Sequence, residues 1–173
     1  MHDFYSRGQV AAYIGNGKGK TSAAVGQIVR AAGHGIQSRF IQFMKSGTSG
    51  EIAALSYIPS IQTVSYGIDE FYVAGRSDIL KHREYCRRGL EDAGRYSADI
   101  LVLDEILDAV SCGLIREDEL GLLISGRPAH LEIIMTGRTL SEEINPLCTL
   151  VSDIQNVRHY YDTGLKARCG IEY

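Results

Sequence analysis

Long apolar runs, a surplus of positive charge, paired cysteines and low-complexity linkers are all missing from this chain, and it has no tryptophan. No apolar run approaches the ~20 residues that span a bilayer. The stretch from Met1 to Gly8 is polar and lacks the apolar core of a signal peptide. A formal charge of −3 argues against non-specific nucleic-acid binding, which needs clustered Lys and Arg. The densest basic stretch, Lys81-His82-Arg83 with Arg87-Arg88, alternates with Glu84 and reads as a solvated helix face. Cys86, Cys112, Cys148 and Cys169 form no C-x-x-C pair, so zinc or dithiol chemistry has no local signature. Reduced thiols in a cytoplasmic protein account for them, with Cys169 exposed in a Gly-flanked tail and the other three buried. No Ser-His-Asp or Cys-His constellation stands out. His34 lies in a Gly-His-Gly helix stop and His159 in a strand-to-tail segment, both structural settings. A soluble protein follows, with neither a membrane nor a nucleic acid as partner.

What is present is ordinary globular material: 173 residues, 45% hydrophobic and 23% charged. That length fits one domain over residues 1–173, burying roughly two thirds of its unfolded surface, with a short N-terminal segment at 1–8 and a tail at 160–173. Apolar runs of strand length recur at Val10–Ile14, Arg39–Met44, Ile61–Tyr66, Ile100–Leu103 and Leu131–Met135, and a less pure one spans Leu150–His159. Runs apolar on both faces suit strands covered by helices on each side of a parallel sheet. Helix-like stretches lie between them, at Thr21–Ala32, Glu51–Tyr57, Ser77–Tyr96, Glu117–Ile124 and Ser141–Ile144. The alternation predicts an α/β fold with right-handed crossovers. It reads as a three-layer arrangement, helices on both faces of a mostly parallel sheet of about six strands. Loops leaving the carboxyl ends of the strands, Lys45–Glu51, Gly67–Arg76 and Asp104–Ser111, are expected around the ligand.

The strongest local signal follows the first strand. Gly15-Asn16-Gly17-Lys18-Gly19-Lys20-Thr21-Ser22 has three glycines that let backbone N–H groups curl inward on an anion. Lys20 adds positive charge, Thr21 offers a hydroxyl to magnesium, and a helix starting at Gly19 or Lys20 aims its positive end at the same anion. The pattern G-x-x-x-x-G-K-[ST] needs a glycine where Ile14 stands, so the loop is one residue short. A shorter loop cannot wrap a β-phosphate in the usual way.

Ile100-Leu-Val-Leu-Asp104-Glu105 is the second signal: four apolar residues deliver two acids to a strand end, as in a strand that serves nucleotide-bound magnesium. Either Asp104 or Glu105 could be the ligand. At the end of Leu131–Met135, Arg138 could reach a phosphate or pair with Glu142 or Glu143. Gln42 and Lys45 lie where the second strand ends.

These residues resemble the P-loop class of ATP:corrinoid adenosyltransferases nearly end to end. The likeness is carried by Tyr13 to Thr21, Arg30 to Gly35, Ile41 to Lys45, Gly50-Glu51, Asp69 to Phe71, Leu103 to Ile106, Arg127-Pro128, Thr136 to Arg138 and Gly164 to Glu172. The short loop is itself a mark of that family, and the resemblance implies a P-loop NTPase-like (RecA-like) α/β fold. The resemblance implies transfer of the 5′-deoxyadenosyl group of ATP to the Co(I) of a reduced corrinoid, with release of triphosphate, in adenosylcobalamin biosynthesis or salvage. It implies that Gly15 to Ser22, with Arg138, hold ATP, and that Lys20, Thr21 and Glu105 act in catalysis. Thr21, Glu105 and Asp104 would fix magnesium, or manganese in its place. Asp69, Phe71 and Tyr72 become the candidate corrinoid contacts, and Phe71 and Tyr72 are the aromatics nearest that role. A flavoprotein that reduces the cobalt and a homodimeric assembly are also implied. A small-molecule kinase or ATPase, or a nucleotide-gated corrinoid-binding protein, would use the same cradle.

Overall fold

The computed structural model describes residues 7–68 and 78–172. Val10–Ile14 (β1), Ser38–Phe43 (β2), Ile61–Tyr66 (β3), Ile100–Asp104 (β4), Glu132–Thr136 (β5) and Leu150–Asp153 (β6) form one sheet in the order β3-β2-β4-β5-β1-β6. Every pairing in it is parallel. The sheet is therefore wholly parallel, and all six carboxyl ends share one edge. Helices Lys20–Ala32 (α1), Gly50–Leu55 (α2), Ile79–Ala93 (α3), Ile106–Ser111 (α4) and Glu117–Ser125 (α5) complete the set.

Period-two alternation sorts the strand side chains into two cores. Ala11, Phe40, Ile100, Val102 and Ile134 pack with Ala24, Ile28 and Ala31 of α1 and Leu55 of α2 on one face. Val10, Ala12, Ile41, Phe43, Leu101, Leu103, Ile133 and Met135 pack with residues of α3, α4 and α5 on the other. Runs apolar at every position are what a sheet covered on both faces demands.

Several expectations need correction. The stretch Asp104–Ser111 is not a loop: Asp104 ends β4, Glu105 turns, and α4 begins at Ile106. Ser141–Ile144 makes no α-helix. Its Ser141 hydroxyl accepts from the Ile144 N–H at 3.3 Å, and a three-residue 3-10 turn, Asn145–Leu147, follows with Pro146 in it. The last strand stops at Asp153, six residues before His159, because the chain there leaves β1 to cross the loop that β1 feeds. His82 departs from the solvated face of α3 and is buried, and Cys112 and Cys148 are only half-buried. Cys86 is buried and Cys169 exposed, as expected. Burial pushes the Cys86 thiol up to about 12, which keeps it protonated at neutral pH.

One ion pair fastens α3 to the sheet. Arg39 Nη2 donates to Asp92 Oδ2 at 2.5 Å, and Asp92 is only 3% exposed. Arg39 Nη1 also reaches Gln62 Oε1 on β3 at 2.8 Å. Removing the guanidinium strands a buried carboxylate, although Arg95 stays 3.4 Å from it. Arg39→Met is therefore expected to cost about 3 kcal/mol in urea unfolding, at the low end for a broken buried pair.

Candidate functional site

The loop after β1 is held between two neighbours. The Gly15 N–H donates to the Arg138 carbonyl at 3.0 Å, and the Gly17 N–H donates to the Ile154 carbonyl at 2.7 Å. Gly17 is needed for that approach, since a Cβ there would sit 2.6 Å from the Ile154 oxygen. Gly19 caps α1 with φ at +117°, in a region that L side chains rarely adopt. The helix starts at Lys20, as the sequence predicts, and its first-turn N–H groups lack intrahelical acceptors. Lys20 curls back so that its Nζ donates to the Gly17 carbonyl at 2.9 Å.

Beside the loop lies a carboxylate with no exposed surface, Asp104. Its Oδ1 accepts from the hydroxyls of Thr21 and Thr136, each at 2.8 Å. Its Oδ2 accepts from Gln42 Nε2 at 3.2 Å and faces Lys45 Nζ at 3.5 Å. Lys45 also lies 3.0 Å from Glu105 Oε1. Burial alone would lower the Lys45 ammonium's pKa, but Asp104 and Glu105 together hold it above the ordinary lysine range. Glu105 takes φ of +63°, uncommon for a side-chain-bearing residue, and its N–H donates to Thr136 Oγ1 at 2.9 Å. Thr21, Asp104 and Glu105 are all oxygen donors, the set a hard divalent cation takes. Among the described residues there is no cluster of three or more His, Cys, Asp or Glu side chains arranged for a metal.

The sequence thus leads to Lys20, Thr21, Asp104 and Glu105, and all four lie together. Ser22 is exposed in the first turn of α1. Arg138 is exposed where β5 ends, with its N–H donating to Asp108 Oδ1 at 3.1 Å. Among the described residues it makes no ion pair with Glu142 or Glu143. Asp69, Phe71 and Tyr72 lie outside the described residues. Lys18 turns away from the loop: its Nζ donates to the Tyr160 hydroxyl at 2.7 Å and to Glu172 Oε1 at 2.9 Å. Asn16 is exposed, and its carbonyl accepts from Asn156 Nδ2 at 3.2 Å. His159 has the structural role expected of it, its Nδ1 accepting from the Tyr161 N–H at 3.1 Å.

Sequence reading missed Thr136 as a partner of Asp104, and missed the tail contacts made by Ile154, Asn156, Tyr160 and Glu172. A threonine closing an otherwise apolar buried strand was a usable signal for the first. The tail residues have no spacing that ties them to the loop.

The sequence profile described as ATP:corrinoid adenosyltransferase BtuR/CobO/CobP matches residues 6–173. A protein of Escherichia coli (strain K12) named corrinoid adenosyltransferase is 35% identical, over 96% of this chain and 86% of its own. Corrinoid adenosyltransferase CobA of Salmonella typhimurium is 33% identical, with the same coverage of each chain. A corrinoid adenosyltransferase of Pseudomonas aeruginosa is 31% identical, over 96% of this chain and 84% of its own.

Around Glu172 the geometry sets a pH dependence. Arg168, the Tyr160 hydroxyl and Lys18 hold its carboxyl well below the usual carboxylate range. A depressed folded pKa means that the contact is fully present above the unfolded value, about 4.3, and is lost as pH falls through the folded one. NMR titration of the Tyr160 ring is therefore expected to show its transition below pH ~4.3. Glu172→Gln should abolish that transition.

Proposed function

The chain belongs to the ATP:corrinoid adenosyltransferase family, and from that premise we propose that it moves the 5′-deoxyadenosyl group of ATP onto the Co(I) of a reduced corrinoid. In this reaction the cobalt supplies the electron pair of the new Co–C bond. The C5′–O bond breaks, and triphosphate leaves with its pair. Co(I) is already a strong nucleophile, so the protein's tasks are alignment and stabilisation of an anionic leaving group. The observation that carries the reading is the short loop, with Lys20, Thr21 and Asp104 gathered at its α1 end.

In this reading Gly15 to Ser22 hold the triphosphate, with Arg138 at the rim and Lys20 neutralising charge on the departing oxygens. Lys18, paired with Glu172, contributes its backbone to the loop and has its charge satisfied by the tail. Thr21, Asp104 and Glu105 would hold magnesium. The oxygen donors present fit that ion, which when bound neutralises phosphate oxygens. Lys45 now neutralises both acids and would give up part of that pairing to a cation. Asp69, Phe71 and Tyr72, which follow β3 in sequence, are the proposed corrinoid contacts. We further propose that residues 1–173 work as one domain in the cytoplasm, as a homodimer supplied with electrons by a flavoprotein. No helix among the described residues is long and apolar enough to cross a membrane, which accords with that setting.

Lys20→Ala should cut turnover at saturating ATP by at least ~100-fold, the usual cost of removing one preorganised charge from developing anionic oxygens. Wild-type-like turnover would sink the cradle assignment. Glu105→Gln and Asp104→Asn should each shift the magnesium dependence of the rate, and a normal titration in both would assign these acids a structural role. The reaction class is tested by phosphorus NMR of the spent reaction. Free triphosphate should appear in step with adenosylated corrinoid. ADP formed in proportion to turnover would instead identify a kinase or ATPase.

A further inference from the structure

Asn156 lies on the exposed tail beyond β6, outside every motif that points to the nucleotide, yet it grips the loop at two points. Its Oδ1 accepts from the Lys18 N–H at 3.3 Å, and its Nδ2 donates to the Asn16 carbonyl at 3.2 Å. One carboxamide thereby brackets Gly17 from both sides. The next contact along is the Gly17 N–H on the Ile154 carbonyl. A five-residue loop has little freedom to satisfy its own backbone groups, and the tail supplies partners for them.

The consequence reaches Lys20 through a single peptide unit. The Lys18 N–H and the Gly17 carbonyl belong to the same planar peptide, and in a trans peptide they point in opposite directions. No cis peptide bond is present among the described residues. When Asn156 draws the N–H toward the tail, the carbonyl is turned the other way, where it accepts from Lys20 Nζ at 2.9 Å. We infer that Asn156 is a positioning residue: by fixing the Gly17–Lys18 peptide plane it sets where the Lys20 ammonium stands relative to the α1 N-terminus, and so how tightly the loop holds a triphosphate. This rests on the reading of the loop as a triphosphate cradle, and it adds a residue that acts on that cradle from the opposite end of the chain.

The test compares wild type with Asn156→Leu, which keeps the side chain's approximate shape and removes both bonds. Magnesium with inorganic triphosphate, and separately with ATP, is titrated by calorimetry without any corrinoid. Affinity for both should fall about ten-fold in the variant, as expected for two modest hydrogen bonds. In turnover assays KM for ATP should rise with it while KM for the corrinoid stays unchanged. Hydrogen exchange in the nucleotide-free chain gives a second readout that does not depend on binding. The Lys18 amide should exchange several-fold faster in the variant, with the Gly17 amide unaffected. Wild-type affinity for triphosphate in Asn156→Leu, or an unchanged Lys18 amide, overturns the inference. Failure of the adenosyltransferase reading is recognisable separately. A wild-type chain that binds triphosphate and loses it in the variant, but makes no adenosylated corrinoid, refutes the activity and leaves the role of Asn156 supported.

Discussion

A fully buried carboxylate is the constraint around which the rest of the site is arranged. Asp104 has no exposed surface, and an isolated charge in such a place would cost several kcal/mol. The fold meets that cost with partners drawn from different elements: Thr21 from α1, Thr136 from β5, Gln42 from β2 and Lys45 from the residues after β2. Each contact pins one element to the end of β4. The acid ties the loop-bearing helix α1 to the carboxyl ends of β2, β4 and β5. The residues that would handle a nucleotide are therefore the ones that fix the spacing of the sheet's carboxyl edge.

That edge exists because the sheet is wholly parallel. β1 delivers the loop and β4 delivers Asp104, with β5 between them carrying Thr136. The Thr136 hydroxyl donates to Asp104 and accepts from the Glu105 N–H, so it fills the gap left by the intervening strand. Glu105 is held in a left-handed backbone conformation by this arrangement. Strain of that kind persists only where surrounding contacts over-determine it, and it gathers at functional sites.

Strands buried on both faces were readable because their apolar runs are continuous. Val10–Ile14 and Ile61–Tyr66 agree residue for residue with the sequence, and α1 begins where Gly19 and Lys20 predict. The misses have physical causes. The six residues of α4 follow two acids that look like a strand-end loop, and only the turn at Glu105 converts them to helix. Ser141–Ile144 carries a helix-start signal that Pro146 shortens to a 3-10 turn. Lys20, Thr21 and Asp104 were legible because glycine spacing and an apolar run ending in acid are local patterns. Asn156 and Glu172 were not, because their partners in the loop lie more than a hundred residues away, and no local pattern encodes such a pairing.

The brace on the loop also orders events in time. Lys18 and Glu172 are separated by 154 positions, and Asn156 meets a residue 138 positions before it. Contacts so distant in sequence close late, because the chain between them must first be ordered. During synthesis from the N-terminus, β1 and its glycine loop leave the ribosome long before the segment that steadies them. A nascent chain can thus build most of its sheet while its glycine loop is still unbraced. Bracing of the glycine loop is complete only once residues 154–172 have been made, and fragments truncated before residue 154 would carry the motif without its support.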